Sequence, residues 1–453
     1  MSARSVSRRR FLKNASAGTV AAVAAGAMRR YGNVANGAET LAVLGGNPVR
    51  TRPFPSWPQA TPEVEQSLLA AFRSGRWGRT LRGPMQGEGQ VVEFEKRFAE
   101  LLGASFCLAT GSCTQALHTA LHAVGVGAGD EVLVPPCTFI ATVQAVLMCT
   151  ALPVFVDVNL DTFQIDPAKI EPLVGGETRA VEPVHIGGLP CSMEEIMAVA
   201  RKHGLKVVED AAQAHLAEFK GKKCGLFGDL GCFSFQSSKT LACGEGGAIV
   251  GNDEELIQRC YTFHNMGLSA RSGSTDVGTK YRMHELEAAM LIPQLDTLPR
   301  QTQTRNENAA YLARRLAEIP GIAPQKLHEG AGMGAYYIYG FRYQSGYFND
   351  APKAKFLRAL RAERIPFTTM YFDQLNTQPF IENALNSPSF QKVFSKQRLD
   401  RYREQNHCPV NDQLSAEGVW LPQYVFLGEK QDMDDIADAI AKIYQQRDEL
   451  ARL

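Results

Sequence analysis

The chain has 453 residues, 45% hydrophobic and 21% charged, an ordinary globular balance that suits two or three domains with a sizeable core. A formal net charge of +1 gives no reason to expect a nucleic-acid surface, and no apolar run reaches the roughly 18–20 residues that a membrane-spanning helix needs. Ten cysteines occur without a Cys-x-x-Cys pair, so they read as reduced, mostly buried thiols, not as a metal site or a disulfide framework.

Residues 1–38 read as an address. Ser7-Arg8-Arg9-Arg10-Phe11-Leu12-Lys13 has the twin-arginine export pattern, followed by a small-residue apolar stretch from Ala15 to Met28 and a loose run through Ala38. Cleavage could follow Ala27 or Ala38; the bland alternative is a basic tail before an alanine-rich helix. Resemblance to such signals implies the twin-arginine machinery, which carries folded proteins, and a periplasmic or extracellular destination.

Residues 39–60 form an N-terminal arm. From 61 to 300, helical periodicity alternates with short apolar runs. A helix is predicted over Pro62–Phe72, with Thr61 as N-cap and Pro62 in the first turn, and another over Val91–Leu102, ending at Gly103. Apolar runs recur at Phe106–Ala109, Glu131–Pro135, Pro153–Asp157, Ala180–His185, Lys206–Glu209, Gly231–Phe235 and Ala248–Val250. Helical stretches, notably Gln115–Val124 and Ser192–His203, separate several of them. Runs that are apolar throughout, alternating with helices, predict an α/β fold with a mostly parallel sheet covered on both faces. Residues 301–453 read as a smaller α+β domain. It opens on a charged helix over 301–319, continues in mixed strands around Tyr336–Tyr343, and has helices at Lys353–Glu363 and Met433–Glu449.

In parallel α/β sheets, ligand-binding groups gather at the carboxyl ends of strands. The strand Lys206-Val207-Val208 ends in Glu209-Asp210-Ala211-Ala212-Gln213. A carboxylate there is costly unless it meets a positive partner; a helix N-cap is the alternative use of Asp210. Lys239 follows 29 residues later (239 minus 210), between Gln236-Ser237-Ser238 and Gly244-Glu245-Gly246-Gly247, where no helical or strand pattern demands it. Thr110-Gly111-Ser112-Cys113-Thr114 joins a strand to a helix, so free N–H groups and the helix dipole would suit a phosphate, simple N-capping being the alternative. Ser234 could add a hydroxyl. Phe139, after the Glu131–Pro135 strand, could stack on an aromatic ring or serve as core. A lysine for an imine, a carboxylate for a pyridine nitrogen, a phosphate cradle and an aromatic face are what pyridoxal 5'-phosphate requires.

Together these residues resemble the DegT/StrS sugar aminotransferases, a branch of the fold-type-I pyridoxal-phosphate enzymes, over roughly residues 40–445. The likeness is carried by Val132–Phe139, Pro153–Asp166, Glu209–His215, Gly231–Gly247, Tyr261–Asn265 and Tyr281-Arg282-Met283. It implies a ping-pong transaminase moving an amino group from glutamate or glutamine to a keto-sugar or keto-cyclitol. Lys239 would hold the cofactor as a Schiff base and relay protons. Asp210 would pair with the pyridine nitrogen, and Gln213 would lie near the phenolic oxygen. Ser112, Thr114 and Ser234 would hold the phosphate, and Phe139 would stack. A homodimer with shared active sites is implied, in which Arg282 or Lys280 of the partner subunit reaches the phosphate. Two features depart from the family pattern: Cys113 stands where glycine is common, and His185-Ile186-Gly187-Gly188 lacks a tyrosine. Histidine at the lysine position marks the family's dehydratases, so Lys239 favours transamination. The competing expectations are a non-catalytic cofactor- or sugar-binding protein on the same fold and a pyridoxal-phosphate dehydratase.

Overall fold

The computed structural model describes residues 40–79, 82–371 and 373–453; the twin-arginine segment lies outside the described residues. Helix α1 (Pro62–Arg73) is capped by Thr61, whose Oγ1 accepts from the Val64 amide at 3.4 Å, with Pro62 in its first turn. Helix α2 (Gln90–Leu102) ends where Gly103 turns left-handed at φ 77°. Both match the sequence expectation.

Seven strands make the large sheet: β1 (Phe106–Thr110), β2 (Glu131–Val134), β3 (Leu152–Phe155), β4 (Thr178–Val181), β5 (Lys206–Asp210), β6 (Leu230–Ser234) and β7 (Gly247–Gly251). Their spatial order is β1-β7-β6-β5-β4-β2-β3, and only β7 runs antiparallel to its neighbours. The mostly parallel sheet and the fold-type-I architecture are as expected. Successive side chains point to opposite faces. Leu108, Val132, Val134, Ala180, Val208 and Cys232 therefore share one core with α3 (Cys113–Ala123) and α4 (Ile140–Met148). Their neighbours Leu133, Val181 and Val207 pack on the other face with α5 (Met193–His203). Both faces are covered, which is why the strands read as apolar throughout. Helix α6 (Glu254–His264) completes the first layer.

Helix α7 (Glu285–Leu316) corrects one expectation. The sequence predicts its start at 301, but it begins at Glu285 and runs through Pro293 and Pro299. Each proline removes a backbone donor. Buried side chains at Leu291, Leu295, Leu298, Thr302, Arg305 and Ala309 recur every three or four residues, and that inner stripe carries the helix past both.

The small sheet contains β8 (Ile322–Pro324), β9 (Ile338–Tyr343) and β10 (Gly418–Pro422), all antiparallel, packed with α8 (Lys353–Ala362) and α13 (Lys430–Gln445). Between α8 and β10 lie four short helices, α9 (Pro379–Leu385), α10 (Pro388–Val393), α11 (Lys396–Gln405) and α12 (Pro409–Glu417). Ile381, Phe390, Leu399 and Tyr402 of this stretch join the core of the large sheet, and the Tyr402 hydroxyl donates to the Pro153 carbonyl at 3.0 Å. The arm docks on the small sheet's helices: Arg50, fully buried, reaches Asp432 and Asp435 at 2.8 Å each. All ten cysteines are free, nine of them buried.

Candidate active site

The carboxyl ends of β5 and β6 and the loop after β6 bring the central groups together. That loop is pinned by its own backbone: the Phe235 amide donates to the Gly246 carbonyl at 2.9 Å, Ser237 to Gly244 at 2.9 Å and Lys239 to Gln236 at 2.8 Å. From the arm, Trp57 Nε1 donates to the Lys239 carbonyl at 3.0 Å. Lys239 is consequently only 7% exposed, and its Nζ lies 3.9 Å from the centre of the Tyr337 ring, a cation–π contact.

Asp210 closes β5. Its Oδ2 accepts from Thr142 Oγ1 at 2.7 Å and its Oδ1 from the Ala212 amide at 3.1 Å. Thr142 is in turn 2.8 Å from Thr138 Oγ1. No helix follows Asp210, so it is not an N-cap. Burial pushes its carboxyl above the ordinary value; Thr142, the Ala212 amide and the Lys239 charge only partly offset this. Glu209 beside it is structural: it accepts from the Gly225, Phe227 and Gly228 amides at 2.6–2.8 Å and meets His185 Nε2 at 2.9 Å. His185 Nδ1 accepts from the Cys191 amide at 3.0 Å, so the ring proton sits on Nε2 and points at Glu209.

Glu182, one residue past β4, shares the sheet face of Ala180, and both its oxygens are buried without a hydrogen-bond partner among the described residues. Burial, then the nearby Asp210 charge, pushes its carboxyl well above the ordinary range. His215 is displaced the other way, down to about 3, by burial and then by the Lys239 charge. Its Nδ1 meets Thr240 Oγ1 at 2.9 Å, and a neutral imidazole so buried is no general acid.

The turn expected to cradle an anion opens α3. Ser112 is its N-cap, its Oγ accepting from the Gln115 amide at 3.2 Å, so the capping role expected as the alternative is real. Thr114 lies half-buried in the first turn. Thr110, Gly247 and Ser234 are register neighbours across three strands, which brings buried Ser234 within about 10 Å of the cradle backbone. A Cβ on Gly247 would lie 2.5 Å from the Ser112 carbonyl carbon, so only glycine lets β7 come this close. The Arg282 backbone bridges to Thr110 of its own chain, and its guanidinium makes no hydrogen bond or ion pair among the described residues. Gln213 is buried, and its Oε1 holds the Gly187 amide at 2.8 Å, fixing the loop that lacks the family tyrosine. Phe139 is 46% exposed for all its size, its ring 6.1 Å from Tyr371.

The structure thus gathers Lys239, Asp210, Gln213, Ser234, Phe139 and the start of α3 at one end of the sheet. Sequence reasoning missed Thr138, Thr142, Glu182, Trp57, Tyr337 and Tyr371. Only Glu182 carried a visible signal, as the one acid inside the apolar run Ala180–His185. A buried amine, a buried acid and an amide-rich cradle suit reversible carbon–nitrogen bond chemistry on an anionic ligand.

The model of the DegT/DnrJ/EryC1/StrS aminotransferase family matches residues 65–441. L-glutamine:2-deoxy-scyllo-inosose aminotransferase of Streptomyces fradiae is 36% identical over 430 residues, spanning 91% of this chain and 99% of that protein. L-glutamine:scyllo-inosose aminotransferase of Streptomyces griseus is 34% identical over 431 residues, spanning 91% and 99%. The crystal structure of 3-amino-5-hydroxybenzoic acid synthase superposes with a TM-score of 0.75 at 30% identity, covering 88% of this chain and 100% of that one. The chain belongs to the DegT/DnrJ/EryC1/StrS aminotransferase family and is an aminotransferase.

Proposed function

We propose that this aminotransferase moves the amino group of glutamine onto a cyclitol ketone of the scyllo-inosose kind, with pyridoxal phosphate held between Lys239 and Asp210. The observation that carries the site is a buried lysine amine whose charge acts on a buried aspartate that no cation hydrogen-bonds among the described residues. The names of the Streptomyces relatives support the donor and acceptor.

The donor set fits the cofactor. Asp210, raised by burial, is short of one positive partner, which a protonated ring nitrogen would supply. The Ser112–Thr114 turn and Ser234 would hold the phosphate, with the opening Gly247 leaves, and half-exposed Phe139 would cover the ring. Gln213, whose amide nitrogen donates to no group among the described residues, would reach the phenolic oxygen. When bound, pyridoxal phosphate supplies an electron sink for exchanging an amino group between carbon skeletons. The chain's own part is to hold the reacting carbon beside Lys239 Nζ, to carry a proton on that amine and to keep water out of a site walled by Trp57, Tyr337 and Tyr371. A homodimer would complete the cradle with Lys280 or Arg282 of the partner subunit. Residues 1–38 would send the folded, loaded enzyme through the twin-arginine machinery to the periplasm or beyond.

The test is a paired incubation of loaded protein with glutamine and scyllo-inosose. The expected products are the keto acid of glutamine and an amino-cyclitol in equal amounts. Binding without product would indicate a sensor, and loss of water without amine transfer a dehydratase; either would reject the proposal.

A further inference from the structure

Tyr337, at the entry to β9, and Tyr371, on the stretch before α9, are buried phenols in the same apolar cluster as Phe163 and Trp420. A phenylalanine would pack there equally well, so two hydroxyls taken out of water need a reason. Their oxygens are 3.0 Å apart, and the Tyr337 hydroxyl is also 2.8 Å from Ser238 Oγ, one residue before Lys239. Ser238 Oγ is itself 2.6 Å from Gln236 Oε1. Tyr371 holds its place at φ 71°, a backbone conformation that L side chains rarely adopt. The Lys239 amine rests on the face of the Tyr337 ring, 3.9 Å from its centre, and hydrogen-bonds toward the phenol.

We propose that Tyr337 is the proton partner of Lys239, exchanging a proton with its Nζ while Ser238 and Tyr371 turn their hydroxyls to follow. The proposal rests on the assignment of Lys239 above. When Tyr337 is neutral, Tyr371 donates to it, it donates to Ser238, and Ser238 donates to Gln236. When Tyr337 is ionised, both Ser238 and Tyr371 donate to it. Gln236 Oε1 still keeps the Ser238 amide at 2.9 Å, so no acceptor is orphaned. In the exchange an N–H bond of the Lys239 ammonium breaks and the O–H bond of Tyr337 forms. Ammonium and phenolate become amine and phenol, with no other reactant.

The surroundings favour this. Burial pushes the Tyr337 phenol up, but the Lys239 charge and the Ser238 and Tyr371 hydroxyls more than offset it, so it ionises below the ordinary phenol range. Tyr371 goes the other way, held well above that range by burial and by Tyr337. It is therefore the donor of the pair. The remaining titratable groups facing the cluster are Asp210, whose charge Tyr371 feels, and Cys137, whose thiol donates to the Tyr371 carbonyl at 3.3 Å and is pushed up to about 12. Tyr337 acts through Lys239, and is a positioning residue.

The test is an ultraviolet alkaline titration of the cofactor-free protein, followed by single-turnover reaction of the loaded enzyme with glutamine. One of the thirteen tyrosines should ionise ahead of the rest. That step should vanish in Tyr337→Phe and move to higher pH in Lys239→Ala and in Tyr371→Phe. Tyr337→Phe should bind the cofactor but slow the half-reaction roughly ten- to hundredfold and remove one limb of its pH profile. An early step that survives unchanged in Tyr337→Phe or Lys239→Ala, or an unaltered pH profile, overturns the proposal. If Tyr337→Phe does not fold, the shift in Tyr371→Phe decides. Covalent cofactor uptake by Lys239→Ala would instead reject the site assignment itself.

Discussion

Asp210 and Glu182 share one face of the sheet and one environment, yet have opposite relations to a ligand. Asp210 has two hydrogen bonds and a nearby lysine charge, and needs one more positive partner. Asp210→Asn should therefore weaken cofactor binding and slow turnover by roughly a hundred- to several-thousand-fold, the equivalent of losing ~3–5 kcal/mol from a buried pair, read by steady-state kinetics. Glu182 has no hydrogen-bond partner among the described residues, and burial, then the Asp210 charge, favours its neutral form. Its folded-state pKa lies above the ordinary 4.5, so above that pH the folded chain binds a proton that the unfolded chain has lost. Wild-type stability consequently falls as pH rises from that point, by up to ~1.4 kcal/mol per unit. Glu182→Gln lacks the term. Denaturant melts should show the variant gaining on wild type from about pH 4.5 upward; a difference independent of pH would contradict this. Asp210 was legible in the sequence because it ends an apolar strand, and Lys239 because it stands in a stretch that no helical or strand pattern demands. Tyr337 and Tyr371 were not, since their meaning depends on Ser238, a partner 99 residues from Tyr337 along the chain.

At the scale of elements, the edge between β7 and α3 is set by one missing methyl. Gly247→Ala would press a Cβ into the Ser112–Cys113 backbone at 2.5–2.6 Å, where nothing can rotate aside. The variant should lose ~1–3 kcal/mol of stability and bind the cofactor less tightly, checked by melts and by cofactor titration; unchanged affinity would show that the cradle does not begin there. The strands were readable because both faces of each are buried. Helix α7 was readable only in its second half: Pro293 and Pro299 argue locally for a break, and the packed inner stripe overrides them. The α9–α12 stretch gave no hint of its destination. Its few apolar residues fit either sheet, and only contact with β3 and α4 selects the large one.

Across the whole molecule, three parts of the chain close on one side chain. The large sheet supplies Asp210 and the loop that carries Lys239. The small sheet brings Tyr337 over the amine, and the arm, clamped to α13 through Arg50, places Trp57 on the lysine carbonyl. Among the described residues only Lys239 and Lys442 are so enclosed, and Lys442 is held by the buried Glu363. The most direct measurement is borohydride reduction of the cofactor-loaded protein, followed by mass mapping of every lysine-containing peptide. The phosphopyridoxyl mass should fall on the peptide holding Lys239 and be absent in Lys239→Ala. The same mass on a different lysine, or its persistence in that variant, would contradict the assignment of Lys239.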